Sequence, residues 1–371
     1  MKKVIHIHRD YKFISDTNRF KGNLFENELI ILDSKHQYNK EYHNMALFYE
    51  PDESGIDEIL QKVNQADILV IYELDFFKSL IVNKTRKDVL IIWRFFGNEL
   101  YTRKLNLVLS DNSRSFVFRK LLFWKIKLYF PFFFYEEKKF REAMKRIDLM
   151  ACMSEEEYKL LSKHWSYLPK FIGLPFIHGL KSHDLLKREL ESYFPKEDKL
   201  VIGNSKSIYN NHLEILEIIR ISNPMENIHI IMPFNYGAEQ EYTDSVRTKA
   251  KSLRKIHILE DFLPPKEYNK FFNSVAAIVN NSYRQFALGN ILIALQQGVK
   301  IYLNMNSPTY SWLIKEGFLI FSIVELSDDL KTENIKLTKN QAYHNLNCMK
   351  DQESRYTKSD FRMEILKLMK K

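Results

Sequence analysis

Residues Ala276–Leu303 read AAIVNNSYRQFALGNILIALQQGVKIYL, and their pattern sets the class of the whole chain. An apolar run (Ala276–Asn280) reads as a buried strand and is followed by a polar turn. A helix is expected from about Ala287 to Gln297, with Gly298 as its stop and Lys300–Leu303 as a second strand. Arg284 and Gln285 stand just before Gly289 and Asn290 at the mouth of that helix. Backbone N–H groups and the helix dipole favour an anion there. A cation, an amide and a close-approach glycine at such a junction suit a phosphate or a nucleotide-sugar. The plain alternative is an ordinary strand-to-helix turn with a surface arginine.

The same rhythm surrounds this stretch. Strands are expected at Leu200–Gly203, Ile228–Met232 and Ile256–Leu259, separated by helical segments. Leu213, Leu216 and Ile219 form the apolar stripe of one of those helices. The loop Gly203-Asn204-Ser205-Lys206-Ser207, the loop Pro233–Gly237 and the turn Tyr283–Asn290 all follow strands, so a parallel sheet would bring them to one edge. The candidate donor-binding residues are therefore Gly203, Asn204, Ser205, Lys206, Asn211, Tyr236, Gly237, Arg284, Gln285, Gly289 and Asn290. Lys206 and Arg284 offer positive charge for phosphates, and Tyr236 or Phe234 offers a face for a base or sugar.

The first half repeats the pattern. Val4–His8, Leu29–Leu32, Met45–Tyr49, Ile68–Tyr72 and Val89–Phe95 read as strands, and Ile56, Ile59, Leu60 and Val63 share one helical face. Glu99 follows the last of these strands through Gly97 and Asn98, which makes it a candidate acid or base; a carboxylate stabilising a helix N-terminus is the alternative. A strand at Leu149–Met153 runs into a helix with Ser154 as N-cap. Regular structure breaks at Gly173–Phe176 and a charged helical stretch (Ser182–Tyr193) ends at Pro195, which places a domain boundary between about Gly173 and Asp198. The expected division is residues 1–175, residues 198–345, and a C-terminal helix over 346–371 that could pack back on the first domain.

Phe116–Tyr135 (FVFRKLLFWKIKLYFPFFFY) is dense in aromatics yet carries Arg119, Lys120, Lys125 and Lys127. Charge at that density opposes a bilayer-spanning helix, while aromatics beside basic residues fit a helix lying on an anionic membrane surface. A core helix with snorkelling lysines is the alternative. Pro131 reads as a break, with the positive region continuing through Lys138, Lys139, Arg141, Lys145 and Arg146.

The 371 residues suffice for two domains. The net charge of +9 points to an anionic partner, whether lipid, nucleotide or nucleic acid. Cys152 and Cys348, the only cysteines, are too few and too distant for a disulfide framework or zinc site, in keeping with a cytoplasmic setting. No secretory leader or stretch of about 20 uncharged apolar residues is evident.

Three runs carry a family resemblance: IGNSKSIYNNHLE (Ile202–Glu214), MPFNYGAEQEY (Met232–Tyr242) and NNSYRQFALGNILIALQQGVKIYLNMNSPTY (Asn280–Tyr310). They resemble glycosyltransferase family 56, typified by bacterial TDP-N-acetylfucosamine:lipid II N-acetylfucosaminyltransferases. IIWRFFGNELY (Ile91–Tyr101) is similar to that family's tryptophan-containing strand with its following glycine and acidic residue, commonly aspartate there and Glu99 here. The resemblance implies an α/β protein of GT-B type, two Rossmann-like domains facing a cleft. It implies a dTDP-sugar donor in the C-terminal half and a polyprenyl-diphosphate-linked glycan acceptor in the N-terminal half. The expected setting is the cytoplasmic face of the bacterial inner membrane, reached peripherally through Phe116–Tyr135.

The sequence offers no Asp-x-Asp pair, so no metal or other cofactor is expected, with Arg284, Lys206 and helix amides stabilising the leaving nucleotide. Glu99 and then Asp10 are the candidate catalytic bases; His8, at a strand end, is more often structural. The competing functions are a UDP- or GDP-sugar transferase with another acceptor, and a non-catalytic membrane scaffold. Nucleic-acid binding is not expected, because charge alone suggests it and no motif accompanies it.

Overall fold

The computed structural model describes residues 1–9, 13–33, 45–117, 131–174, 183–224, 227–253, 256–358 and 361–369. It forms two compact units. The first comprises Met1–Arg103, Leu122–Pro175 and Tyr356–Lys371, and the second comprises Lys104–Leu121 and Phe176–Arg355.

Unit 1 holds seven parallel strands: β1 (Lys2–His8), β2 (Phe25–Leu32), β3 (Leu47–Tyr49), β4 (Ile68–Tyr72), β5 (Leu90–Arg94), β6 (Leu149–Cys152) and β7 (Lys170–Gly173), in the order β3-β2-β1-β4-β5-β6-β7. Helices cover both faces of such a sheet, so its central strands read as continuous apolar runs and not as alternating ones. All five residues of β4, ILVIY, are buried. The helix Glu53–Val63 buries Ile56, Ile59, Leu60 and Val63, the stripe its periodicity predicts. Its start is fixed by Asp52, whose carboxylate accepts from the Gly55 N–H at 2.8 Å. Ser154 caps Glu155–Ser162 in the same way, accepting from the Glu157 N–H at 3.2 Å.

Unit 2 holds six parallel strands: β8 (Lys199–Ile202), β9 (His229–Pro233), β10 (Ile256–Leu259), β11 (Ala277–Asn280), β12 (Lys300–Leu303) and β13 (Phe321–Ser322), in the order β10-β9-β8-β11-β12-β13. Each sheet grows one way from its first strand and then resumes on that strand's other side, the doubly wound order of Rossmann-like domains. In unit 2 the reversal lies between β8 and β11. Leu213, Leu216 and Ile219 of the helix His212–Ser222 pack into the core beneath β8 and β9. Lys300 is buried inside β12, and its charge is met at 2.7 Å by Asp329 Oδ2 and at 2.7 Å by the Asn334 carbonyl.

Three expectations change. Lys104–Leu121 groups with unit 2, not with the N-terminal domain: Phe116 packs edge-on against Tyr242 at 5.6 Å, and Val117 is buried. The chain returns to unit 1 at Tyr356, later than position 346, with Phe361 against Phe20 at 5.5 Å. The C-terminal helix expected over 346–371 begins earlier and is described as the two helices Lys339–Lys358 and Phe361–Met369, and the helix Ile323–Lys331 lies where the sequence suggested no element. The helix Pro131–Arg146 is described from Pro131 onward, and the stretch before it, on which the expected break at Pro131 also rests, lies outside the described residues.

Candidate donor-binding site

The site is built at the carboxyl ends of β9, β8 and β11. Ligands of open α/β sheets bind where the strand order reverses, because the connections diverge there and leave a crevice. In unit 2 that crevice is lined by Val201, Gly203, Ile278, Val279, Asn280, Ala287, Asn290 and Ile291. Two of the three predicted loops therefore flank the reversal directly. The third joins them: the Lys206 N–H donates to the Tyr236 carbonyl at 2.9 Å, and Asn204 Nδ2 donates to the Tyr236 hydroxyl at 2.7 Å.

Gly203 leaves β8 with φ +68°. A Cβ there would lie 2.6 Å from His212 Nε2 and 3.3 Å from Asn210 Cγ, so the position admits glycine alone on both backbone and packing grounds. Asn210 holds the loop from below, with Nδ2 donating to the Ser205 carbonyl at 3.0 Å. His212 is fully buried, with its backbone N–H 2.9 Å and its Nδ1 3.1 Å from the Tyr242 hydroxyl. Burial lowers its pKa to about 3, so the ring is neutral near pH 7.

The helix Leu288–Gln296 opens on the other side of the crevice. Its N-cap, Ala287, has φ +53° and no side-chain acceptor. The Leu288 and Gly289 N–H groups find no backbone acceptor among the described residues. A Cβ on Gly289 would meet nothing within 4 Å, so open space stands beside these amides. Arg284 is 5% exposed, its guanidinium 4.5 Å from the Tyr209 ring centroid and 5.0 Å from that of Phe286. The aromatic faces orient the cation at the turn. Gln285 sits half-buried beside it, its Oε1 without a hydrogen-bond partner among the described residues. Asn290 Nδ2 donates to the Tyr268 hydroxyl at 2.9 Å.

The loops are braced by asparagines that the sequence did not mark as structural. Asn211 takes a left-handed conformation, accepts at Oδ1 from the Ser110 N–H (2.9 Å), and donates from Nδ2 to the Asn281 carbonyl (2.9 Å). Asn281 Oδ1 in turn accepts from Asn304 Nδ2 at 2.7 Å. The amides thus link the loops after β8, β11 and β12, and Asn211 is a brace of the site.

Two predicted site residues are engaged with neighbouring groups. The Lys206 ammonium is taken up by Glu239, which also accepts from both terminal nitrogens of Arg247 at 2.7 and 2.8 Å. Arg247, then Lys206, hold the Glu239 carboxyl well below the usual range. Lys206 is accordingly part of an ion-pair chain, not an uncommitted phosphate ligand. Glu99, in unit 1, turns inward: Oε1 accepts from Trp93 Nε1–H at 3.1 Å and from the Phe96 N–H at 3.3 Å, with only 5% of the residue exposed. Burial raises its pKa, and the carboxyl serves the turn after β5. Asp10 lies outside the described residues. His8, at the end of β1, is buried and stacked on Tyr72 at 3.6 Å, with its pKa lowered by burial to about 2.

The segment expected at a membrane surface divides. Phe116 and Val117 belong to unit 2, residues 118–130 lie outside the described residues, and the helix Pro131–Arg146 opens with Phe132 60% and Phe134 64% exposed. No helix of the described residues is long and apolar enough to cross a membrane.

Residues 183–361 match the family described as 4-alpha-L-fucosyltransferase, glycosyl transferase group 56. Over that stretch the chain is similar to the glycosyltransferases of group 56. No curated protein matches the sequence. Among solved structures, Anabaena Alr3699/HepE in complex with UDP and glucose is similar at TM-score 0.63 and 12% identity, covering all of both chains. The N-terminal domain of Candida albicans trehalose-6-phosphate phosphatase is similar at TM-score 0.63 and 10% identity, over 100% of this chain and 96% of that one. The lipopolysaccharide outer core galactosyltransferase WaaB gives TM-score 0.58 and 10% identity, over 98% and 99%. Likeness at such identity is one of fold, the GT-B type built from two parallel-sheet α/β domains. Together with the likeness to group 56 it makes this chain a transferase.

Proposed function

We propose that this glycosyltransferase moves a deoxy-amino sugar of the N-acetylfucosamine kind from a dTDP-sugar to a polyprenyl-diphosphate-linked saccharide in bacterial surface-glycan synthesis, without a metal cofactor. The observation that carries the donor half of this reading is the unit 2 crevice: a glycine-only loop after β8 faces an uncapped helix N-terminus with Arg284 beside it. The diphosphate would lie on the Leu288 and Gly289 amides and the Gly203 loop. Arg284 would stabilise charge on the leaving nucleotide, a contribution that grows as the bond to the sugar breaks. With Lys206 bound to Glu239, Arg284 takes the larger share.

The choice of a 2′-deoxy nucleotide draws support from the composition of the crevice. The loops 203–207, 234–238 and 281–290 contain no carboxylate, and the adjoining Glu239 is taken up by Lys206 and Arg247, whereas a carboxylate is the common partner of a ribose 2′-hydroxyl in this fold class. Titrating the protein with dTDP, UDP, GDP, ADP and CMP in a thermal-shift screen tests this. Preferential stabilisation by dTDP is expected; preference for UDP or GDP would move the donor, and no response would remove the donor assignment.

For the acceptor half, we propose peripheral binding at the cytoplasmic face of the inner membrane through the helix Pro131–Arg146. Phe132, Phe134 and the 46%-exposed Tyr135 present aromatic surface, with Lys138, Arg141 and Lys145 exposed on the same helix. Aromatic side chains beside basic ones favour an anionic interface. Replacing Phe132 and Phe134 with serine should reduce co-sedimentation with anionic vesicles. Unchanged co-sedimentation would refute this assignment.

A further inference from the structure

The pair Asn290–Tyr268 lies outside everything the phosphate reading uses. Tyr268 stands on the helix Pro265–Phe272, which follows β10, and reaches Asn290 in the first turn of the helix after β11. An amide and a phenol that share one hydrogen bond spend one donor and one acceptor between them. Whichever way the amide is turned, an oxygen acceptor and two hydrogen donors of the pair remain unspent. No second hydrogen bond is made by either side chain among the described residues. The Tyr268 hydroxyl is also held in a desolvated setting, which raises its pKa to about 12 and keeps its proton. Asn290 lines the crevice together with Gly203 and Ala287.

We propose that Asn290 and Tyr268 together bind the 3′-hydroxyl of the donor nucleotide's deoxyribose and so determine preference for a nucleoside diphosphate over a bare diphosphate. This rests on the crevice being the donor site. A hydroxyl both donates and accepts, so it can use the unspent oxygen acceptor and one of the two unspent donors that the pair holds side by side. Deoxyribose is also the group bonded directly to the phosphate, and Asn290 is only one residue beyond the amide of Gly289. A nucleobase lies a full sugar farther away. A neutral pair of this kind satisfies a single hydroxyl and makes no demand for a neighbouring 2′-hydroxyl.

Calorimetric titration of the full chain with inorganic pyrophosphate, dTDP and 2′,3′-dideoxythymidine diphosphate tests this, using the wild type, Tyr268→Phe and Asn290→Ala. The wild type should bind dTDP about tenfold more tightly than its dideoxy counterpart, the discrimination of roughly one well-placed hydrogen-bonding group. Tyr268→Phe should shrink that gap below about threefold while leaving pyrophosphate affinity unchanged, and Asn290→Ala should do the same. A gap that survives both substitutions overturns the inference. So does an equal loss of dTDP and pyrophosphate binding, which marks the pair as a helix-to-helix tie. If the wild type binds no nucleoside diphosphate, the donor reading itself fails, and this assignment with it.

Discussion

Two glycines of the crevice look alike in sequence, and the structure separates them. Gly203→Ala adds a Cβ where φ is +68°, a conformation that costs an L-residue about 1–2 kcal/mol. The new methyl would stand 2.6 Å from His212 Nε2, 3.1 Å from its Cδ2 and 3.3 Å from Asn210 Cγ. Neither neighbour can swing away: the imidazole is tied to the Tyr242 hydroxyl and packs edge-on against Phe234 at 5.5 Å, and Asn210 is bonded to Ser205. Overpacking of that kind costs about 1–3 kcal/mol, so the variant should lose roughly 2–5 kcal/mol in urea unfolding monitored on unit 2. Gly289→Ala is the opposite case. Its Cβ meets nothing within 4 Å, its φ is not positive, and alanine gains up to about 1 kcal/mol over glycine in a helix. That variant should melt at the same temperature or higher, yet bind dTDP at least tenfold more weakly, since the methyl occupies the space where a phosphate approaches. A loss below about 1 kcal/mol for Gly203→Ala would refute the packing argument. Undiminished dTDP binding by Gly289→Ala would refute the close-approach argument.

Other outcomes follow from the same contacts. Arg284→Ala should abolish sugar transfer and leave the circular dichroism spectrum unchanged; retained transfer would sink the phosphate role. Glu99→Gln should keep the melting temperature, because an amide oxygen can accept the same two N–H groups, whereas Glu99→Ala strands the Trp93 N–H at a cost of about 1–3 kcal/mol. A hundredfold rate loss in Glu99→Gln at unchanged stability would restore the catalytic base read from sequence. His6, His8 and His212 are buried with pKa values lowered by burial to about 4, 2 and 3. Because the unfolded chain binds these protons first, their stabilisation is complete above pH 6.5 and is lost as pH falls through the unfolded value. Each should cost about 1.4 kcal/mol at pH 5.5. A histidine-to-asparagine change at 212 that left the acid limb of stability unaltered would contradict the buried neutral state.

Strand positions and loop convergence were legible because they rest on local patterns: apolar runs long enough for a covered parallel sheet, and glycine or asparagine at their carboxyl ends. That is why Gly203, Tyr236, Arg284 and Asn290 fall in the loops of one sheet edge. Partnerships across long sequence separations were not legible. Nothing near Lys206 announces that Glu239 will neutralise it, and nothing in GNELY reveals that Glu99 folds back under Trp93. Residues 104–117 carry an apolar pattern that either unit could bury, so the place of Phe116 beside Tyr242 depends on packing. Tyr268 escaped notice because a lone tyrosine on an amphipathic helix has no signature until its partner, 22 positions on, is in place.

Backbone hydrogen exchange with and without saturating dTDP tests the central claim most directly, since it reports both binding and its location. Slowed exchange confined to residues 203–207, 236–237 and 284–290 is the predicted result, and Arg284→Ala should erase it. Protection that falls elsewhere, or none with any nucleoside diphosphate, would contradict the placement of the donor in this crevice.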